Sequence, residues 1–201
     1  MNSLVCRTTL MLALAALTAC GGIEGMAGGG VGDGEFGRAQ GRLYDLDVAA
    51  RQLAPTDPSA LPAAGTATYE GAAGFSTVED IRSNHFNDDI SVYSDLRVDV
   101  GFDDGSVTGR LDNFVYGDPD EEVYESGSGG IAITNGTLAD GALDGDVTGT
   151  VAFESGDAQL DLDMAGFFRG ADAGTAELQF DGTAIMGGET EQVYGFGIAE
   201  R

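Results

Sequence analysis

The chain has no lysine and no tryptophan, and its 201 residues include one histidine, two cysteines and four prolines. Without lysine all nine basic side chains are arginines, set against 34 acidic residues for a formal net charge of −25. A surface this acidic repels nucleic-acid phosphates and anionic membrane surfaces, so no nucleic-acid partner is expected. With a single imidazole, any serine or cysteine nucleophile would have to rely on His85, and no Gly-x-Ser-x-Gly elbow follows an expected strand. Enzymatic activity is therefore not expected. Two cysteines, Cys6 and Cys20, cannot build a disulfide framework. No apolar run reaches the roughly 20 residues of a membrane-spanning helix.

What is present begins at the N-terminus. Arg7 and the apolar run Leu10 to Leu17 lead into Leu17-Thr18-Ala19-Cys20, which resembles the lipobox read by lipoprotein signal peptidase. Residues 1–19 are thus expected to be a removable signal peptide and Cys20 a lipidated anchor. The remaining cysteine would be committed to lipid, and loss of Arg7 leaves a net charge of −26. Of the seventeen residues from Gly21 to Gly37, nine are glycine, so residues 20–37 read as a flexible tether. Residues 38–64, with prolines at 55, 58 and 62 and a short helix expected near Asp45 to Leu53, read as a linker or edge element.

From residue 65 to 201 the pattern is that of strands. In Val92 to Val100, apolar residues alternate with Asp95, Arg97 and Asp99, and the same period of two recurs in Leu160 to Met164 and Ala176 to Asp181. Turn-forming clusters punctuate these runs at Asp103-Asp104-Gly105, Gly117-Asp118-Pro119, Glu154 to Asp157 and Gly170 to Gly174. Eight strands are expected, near 66–75, 92–102, 106–115, 129–137, 142–154, 158–168, 175–185 and 191–199. Eight antiparallel strands in sequence can close into an up-and-down barrel, which leaves no exposed edge. Ser76-Thr77-Val78-Glu79 has the form of a capping box. Asn135-Gly136 suits either a hairpin or one long strand with a bulge, and the long strand is the reading adopted. Apolar strand faces built of glycine, alanine and valine, with no tryptophan for an interfacial girdle, argue against a membrane-embedded barrel.

Several of these stretches, in order, resemble the transferrin-binding protein B family. They are Gly65 to Gly71, Leu96 to Leu111, Gly166-Phe167-Phe168-Arg169-Gly170, Ala176-Glu177, Phe180-Asp181-Gly182 and Tyr194-Gly195-Phe196-Gly197. The resemblance covers about Gly65 to Ala199. It implies a soluble, lipid-anchored, eight-stranded antiparallel barrel at the outer membrane, with display at the cell surface frequent among relatives, and non-enzymatic binding of a solute or partner protein. Larger members carry two barrels, whereas this chain holds one, so small single-barrel lipoproteins are the apt comparison.

Candidate binding residues follow from chemistry. Haem would require His, Tyr, Met or Cys as an axial ligand. His85 is the lone imidazole, and Tyr93, Tyr116 and Tyr124 are the conceivable phenols, although no cofactor is expected from the sequence. Phe86, Tyr116 and Tyr124, in or beside expected loops, are the aromatic anchors on which a binding surface would concentrate its energy. The acidic runs Asn87-Asp88-Asp89 and Asp118 to Glu122 offer hard oxygen ligands but lack the spacing of a calcium loop, so no metal site is expected. Two readings stand side by side: a tethered binding module, and an acidic structural lipoprotein that shields the envelope without a specific ligand.

Overall fold

In the computed structural model, which describes residues 33–77, 79, 91–118 and 121–201, the chain forms one helix, a short 3-10 turn and eight strands. The helix α1 spans Asp33–Arg51, and the strands are β1 (Thr66–Ser76), β2 (Val92–Gly101), β3 (Ser106–Asp118), β4 (Val123–Ala139), β5 (Ala142–Phe153), β6 (Gly156–Arg169), β7 (Thr175–Met186) and β8 (Glu189–Glu200). Each strand pairs antiparallel with its sequence neighbour, and β8 returns to β1, closing the barrel. The expected up-and-down barrel is what the chain forms. At the closing seam the strands run so close that a Cβ on Gly71 would sit 1.8 Å from the Ile198 carbonyl oxygen, so glycine is required there.

Asn135-Gly136 lies within the single long strand β4, at a register shift between Thr134 and Thr137, with Asn135 at a φ of 52°. The bulge reading holds. Strands β3 and β4 outrun their expected limits furthest: β3 continues to Asp118 and β4 starts at Val123. Ser76 is the last residue of β1, and Val78 and residues 80–90, on which the expected helical turn would fall, lie outside the described residues.

Alternation sends one set of side chains into the barrel. Around the end where β2 turns into β3, Tyr69, Phe102 and Phe168 fill the interior, with Tyr69 and Phe168 ring centroids 5.4 Å apart and Phe102 and Phe168 6.0 Å apart. The Tyr69 hydroxyl donates to the Ala173 carbonyl (2.8 Å), drawing the β6–β7 turn across the opening. Residues after α1 complete the closure. The Thr56 amide donates to the Phe168 carbonyl (2.8 Å), the Gly170 amide to the Ala54 carbonyl (2.9 Å), and Arg169 to the Leu53 carbonyl (2.9 Å) while ion-pairing with buried Glu177.

The helix differs from expectation in length and role. It begins at Asp33, within the stretch read as tether, and it packs on the barrel wall instead of serving as a linker or edge element. Phe36, Leu43 and Ala50, two turns apart each, form a buried stripe against Ala72, Tyr93, Phe196 and Ile198 on the outside of β1, β2 and β8. Positions seven apart return to one face, so this stripe sets a helix axis along the strands. Phe36 lies beside Gly117 and Tyr124 near the β3–β4 turn, while Leu53, just past the other end, reaches Arg169. The helix therefore runs from the open end of the barrel to the closed one, a length of about 28 Å.

Candidate functional site

At the open end small inward residues stand beside the rings of Phe75, Phe114, Tyr116 and Phe153. Val151, Ala158, Ala184 and Val193 do not fill the space between those rings, and a cavity of about 340 Å³ remains. Its wall is completed by Phe75, Val92, Phe114, Tyr116, Phe153, Leu160 and Met186, and its rim carries Ser76, Thr77, Ser91, Ser155, Asp157 and Glu191. This is a barrel mouth with an apolar lining and a polar edge, the usual composition of a small-molecule site.

Backbone bonds fix the rim. Ser91 donates its amide to the Phe75 carbonyl (3.2 Å), the Gly117 amide donates to the Ser91 carbonyl (2.9 Å), and the Ser155 amide donates to Glu125 Oε2 (2.9 Å). Inside it, Tyr116 and Phe153 meet edge to face with centroids 6.1 Å apart. Burial, with the nearby Asp118, Glu125 and Glu121 carboxylates adding to it, pushes the Tyr116 phenol above its ordinary range.

The sequence candidates separate. Tyr116 and Tyr124 lie in strands and not in loops, and they face opposite ways: Tyr116 lines the mouth, whereas Tyr124 packs outside the barrel against Phe36, with centroids 5.6 Å apart. Tyr93 is fully buried under α1 beside Phe36 (5.2 Å), and burial pushes its phenol up to about 12, an effect the Gln40 side chain partly offsets. Cys20, His85 and Phe86 lie outside the described residues. So do Asn87 to Asp89 and, within the run Asp118 to Glu122, Pro119 and Asp120. No group of three or more metal-ligating side chains occurs among the described residues.

Parity alone misassigns this face. Leu111 points inward, and a regular strand would send 113 and 115 the same way; a register shift between Leu111 and Phe114, with Asn113 at a φ of 54°, turns Phe114 and Tyr116 inward instead. Phe153, Leu160, Ala184 and Val193 are likewise legible as strand residues, but nothing in their spacing announces a cavity.

A larger hollow, about 840 Å³, lies on the outer wall, lined in part by Asp144, Asp146, Asp163, Asp181 and Glu79. Asp146, Asp163 and Asp181 stand directly opposite one another on β5, β6 and β7. Asn135 donates to Asp146 (2.8 Å) and Gln192 to Asp181 (3.0 Å), which spreads part of that charge. The mouth is the better site, because its lining is predominantly apolar, area that a ligand would remove from water, whereas the outer hollow is lined as much by polar as by apolar groups.

No family model matches this chain, and no curated protein does. Among solved structures it is similar to two of the vaccine antigen transferrin-binding protein B from Haemophilus parasuis Hp5, one a single and one a double mutant. Each is 16% identical over 73% of this chain, with TM-scores of 0.47 and 0.45. The chain spans 28% and 27% of the length of those two structures.

Proposed function

We propose that this chain is a non-enzymatic, lipid-anchored binding protein of the outer membrane, held by Cys20, whose ligand enters the open mouth of the barrel. The observation that carries the reading is the apolar cavity walled by Phe75, Phe114, Tyr116 and Phe153. Filling it would remove apolar surface at roughly 25 cal/mol per Å². A purely structural shield has no need of a hollow at one end of an otherwise packed barrel.

Haem fits the mouth poorly. Among the described residues its lining offers Tyr116 and Met186 as axial candidates but no arginine to meet the propionates, and Asp157 and Glu191 at the rim would repel them. His85 remains the sequence's candidate for that role, and a haemin titration read by the absorbance band addresses it: a shift lost in His85→Ala supports it, and no shift removes it.

The experiment for the mouth uses the uncharged fluorophore N-phenyl-1-naphthylamine, which brightens in apolar surroundings. Binding is expected, and Ala184→Phe, which puts a ring into the cavity, should abolish it while leaving the strand signature in circular dichroism intact. Brightening that survives Ala184→Phe places the probe elsewhere and defeats the reading. The anchor is tested separately by palmitate labelling, expected to disappear in Cys20→Ala.

A further inference from the structure

We infer that α1 sets the shape of the mouth from outside the barrel: Phe36 and Arg42 hold the mouth ends of β3 and β4 in place, so that helix docking and mouth occupancy favour each other. This rests on the mouth-binding reading above.

The part of β3 that walls the mouth is set off from the rest of its strand. Register shifts fall on both of its sides at one level, between Tyr93 and Asp95 on the β2 side and between Leu111 and Phe114 on the β4 side. Asn113 on β3 and Gly129 on β4 take positive φ values there, 54° and 105°. A bulge interrupts the ladder and bends its strand. The segment Phe114 to Asp118 and its β4 partner therefore depend more than the regular strands on what packs against them.

The two faces of this segment carry different neighbours. Phe114 and Tyr116 line the mouth. Val115, Gly117 and, across on β4, Tyr124 lie outside, against the start of α1. Phe36 makes that outer contact, its ring centroid 5.6 Å from that of Tyr124 and 5.2 Å from that of Tyr93 on β2. The same helix also reaches the bulge: Arg42 ion-pairs with Asp95, and Asp95 accepts from Asn113 Nδ2 at 2.7 Å. One helix thus holds both the tip of this wall and the point about which it would swing.

A ligand in the mouth packs on Phe114 and Tyr116 from inside, while Phe36 backs the same short segment from outside. Releasing the helix lets those rings move outward and takes contacts from the ligand. By linkage, a bound ligand then opposes release of the helix by the same factor. Glycines at 34, 37 and 41 make α1 depend on docking and not on its own propensity, so a ligand's binding energy is enough to shift its docking equilibrium.

The test reads the coupling in both directions. The chain from Cys20 to Arg201, carrying Cys20→Ser and retaining every described residue, is titrated with N-phenyl-1-naphthylamine, and amide hydrogen exchange of α1 is followed with and without the probe. Phe36→Ala should weaken the probe about tenfold. Arg42→Ala, which removes a half-exposed side chain and spares the fold, should weaken it by a smaller factor. Arg169→Met, which destabilises the barrel at its closed end, should leave the affinity unchanged. Saturating probe should slow exchange in α1 of the parent about tenfold and leave it unaltered in Ala184→Phe. Parent-like affinity in both Phe36→Ala and Arg42→Ala overturns the coupling while leaving mouth binding intact. So does an equal loss in Arg169→Met, or helix exchange that ignores the bound probe. A probe that never binds, or that still binds to Ala184→Phe, instead defeats the mouth reading itself.

Discussion

At Gly117 the missing side chain is what lets the Phe36 ring lie against β3, since a Cβ there would come within 2.5 Å of that ring. Gly117→Ala should cost about 1–3 kcal/mol in urea unfolding through overpacking, and pairing it with Phe36→Leu should recover part of the loss. Tyr93, beneath the same helix, sets an alkaline limit. Its phenol ionises near pH 10 when exposed and only near about 12 when folded. Above pH 10 the unfolded chain has lost a proton that the folded one keeps, so this residue's contribution is whole below pH 10 and declines as pH rises toward about 12, by up to roughly 2–3 kcal/mol. Tyr93→Phe should flatten that stretch of a stability–pH profile; an unchanged profile would mean that other groups set it.

Among the elements, α1 is the least self-sufficient. Glycines at 34, 37 and 41 each lower helix propensity by about 1 kcal/mol relative to alanine, so the helix depends on docking its Phe36–Leu43–Ala50 stripe. Leu43→Ala should cost about 3 kcal/mol and, by exposing the apolar wall of β1, β2 and β8, promote self-association visible in light scattering. A Cβ at Gly41 meets nothing within 4 Å, so Gly41→Ala should instead raise stability by about 0.5–1 kcal/mol. This element is also where sequence reading fell short: glycine content disguised as tether the start of a helix whose fully buried positions come seven residues apart, with Ala39 and Leu46 only partly buried between them. The strands were legible because a two-residue period and turn clusters are local signals. The mouth was not, since a cavity is a deficit of volume summed over five or more strands, and the side Tyr116 faces is decided by a bulge at Asn113.

For the whole molecule, charge and closure set the balance. Three aspartates stand abreast on β5, β6 and β7, and like charges directly opposite on neighbouring strands oppose pairing. Asp163→Asn should raise the melting temperature at low salt, with the gain shrinking as salt is added. At the closed end, Arg169 joins β7 through Glu177 and the post-helix segment through Leu53. Arg169→Met leaves Glu177, only 2% exposed, without its arginine and should cost about 3 kcal/mol. The central claim is that ligand enters at one end of an otherwise packed barrel. Its most direct measurement is fluorine NMR of fluorophenylalanine-labelled protein titrated with N-phenyl-1-naphthylamine. The account predicts shifts at Phe75, Phe114 and Phe153 with Phe102 and Phe168 unmoved; shifts confined to Phe102 and Phe168, or none at the three mouth rings, would contradict it.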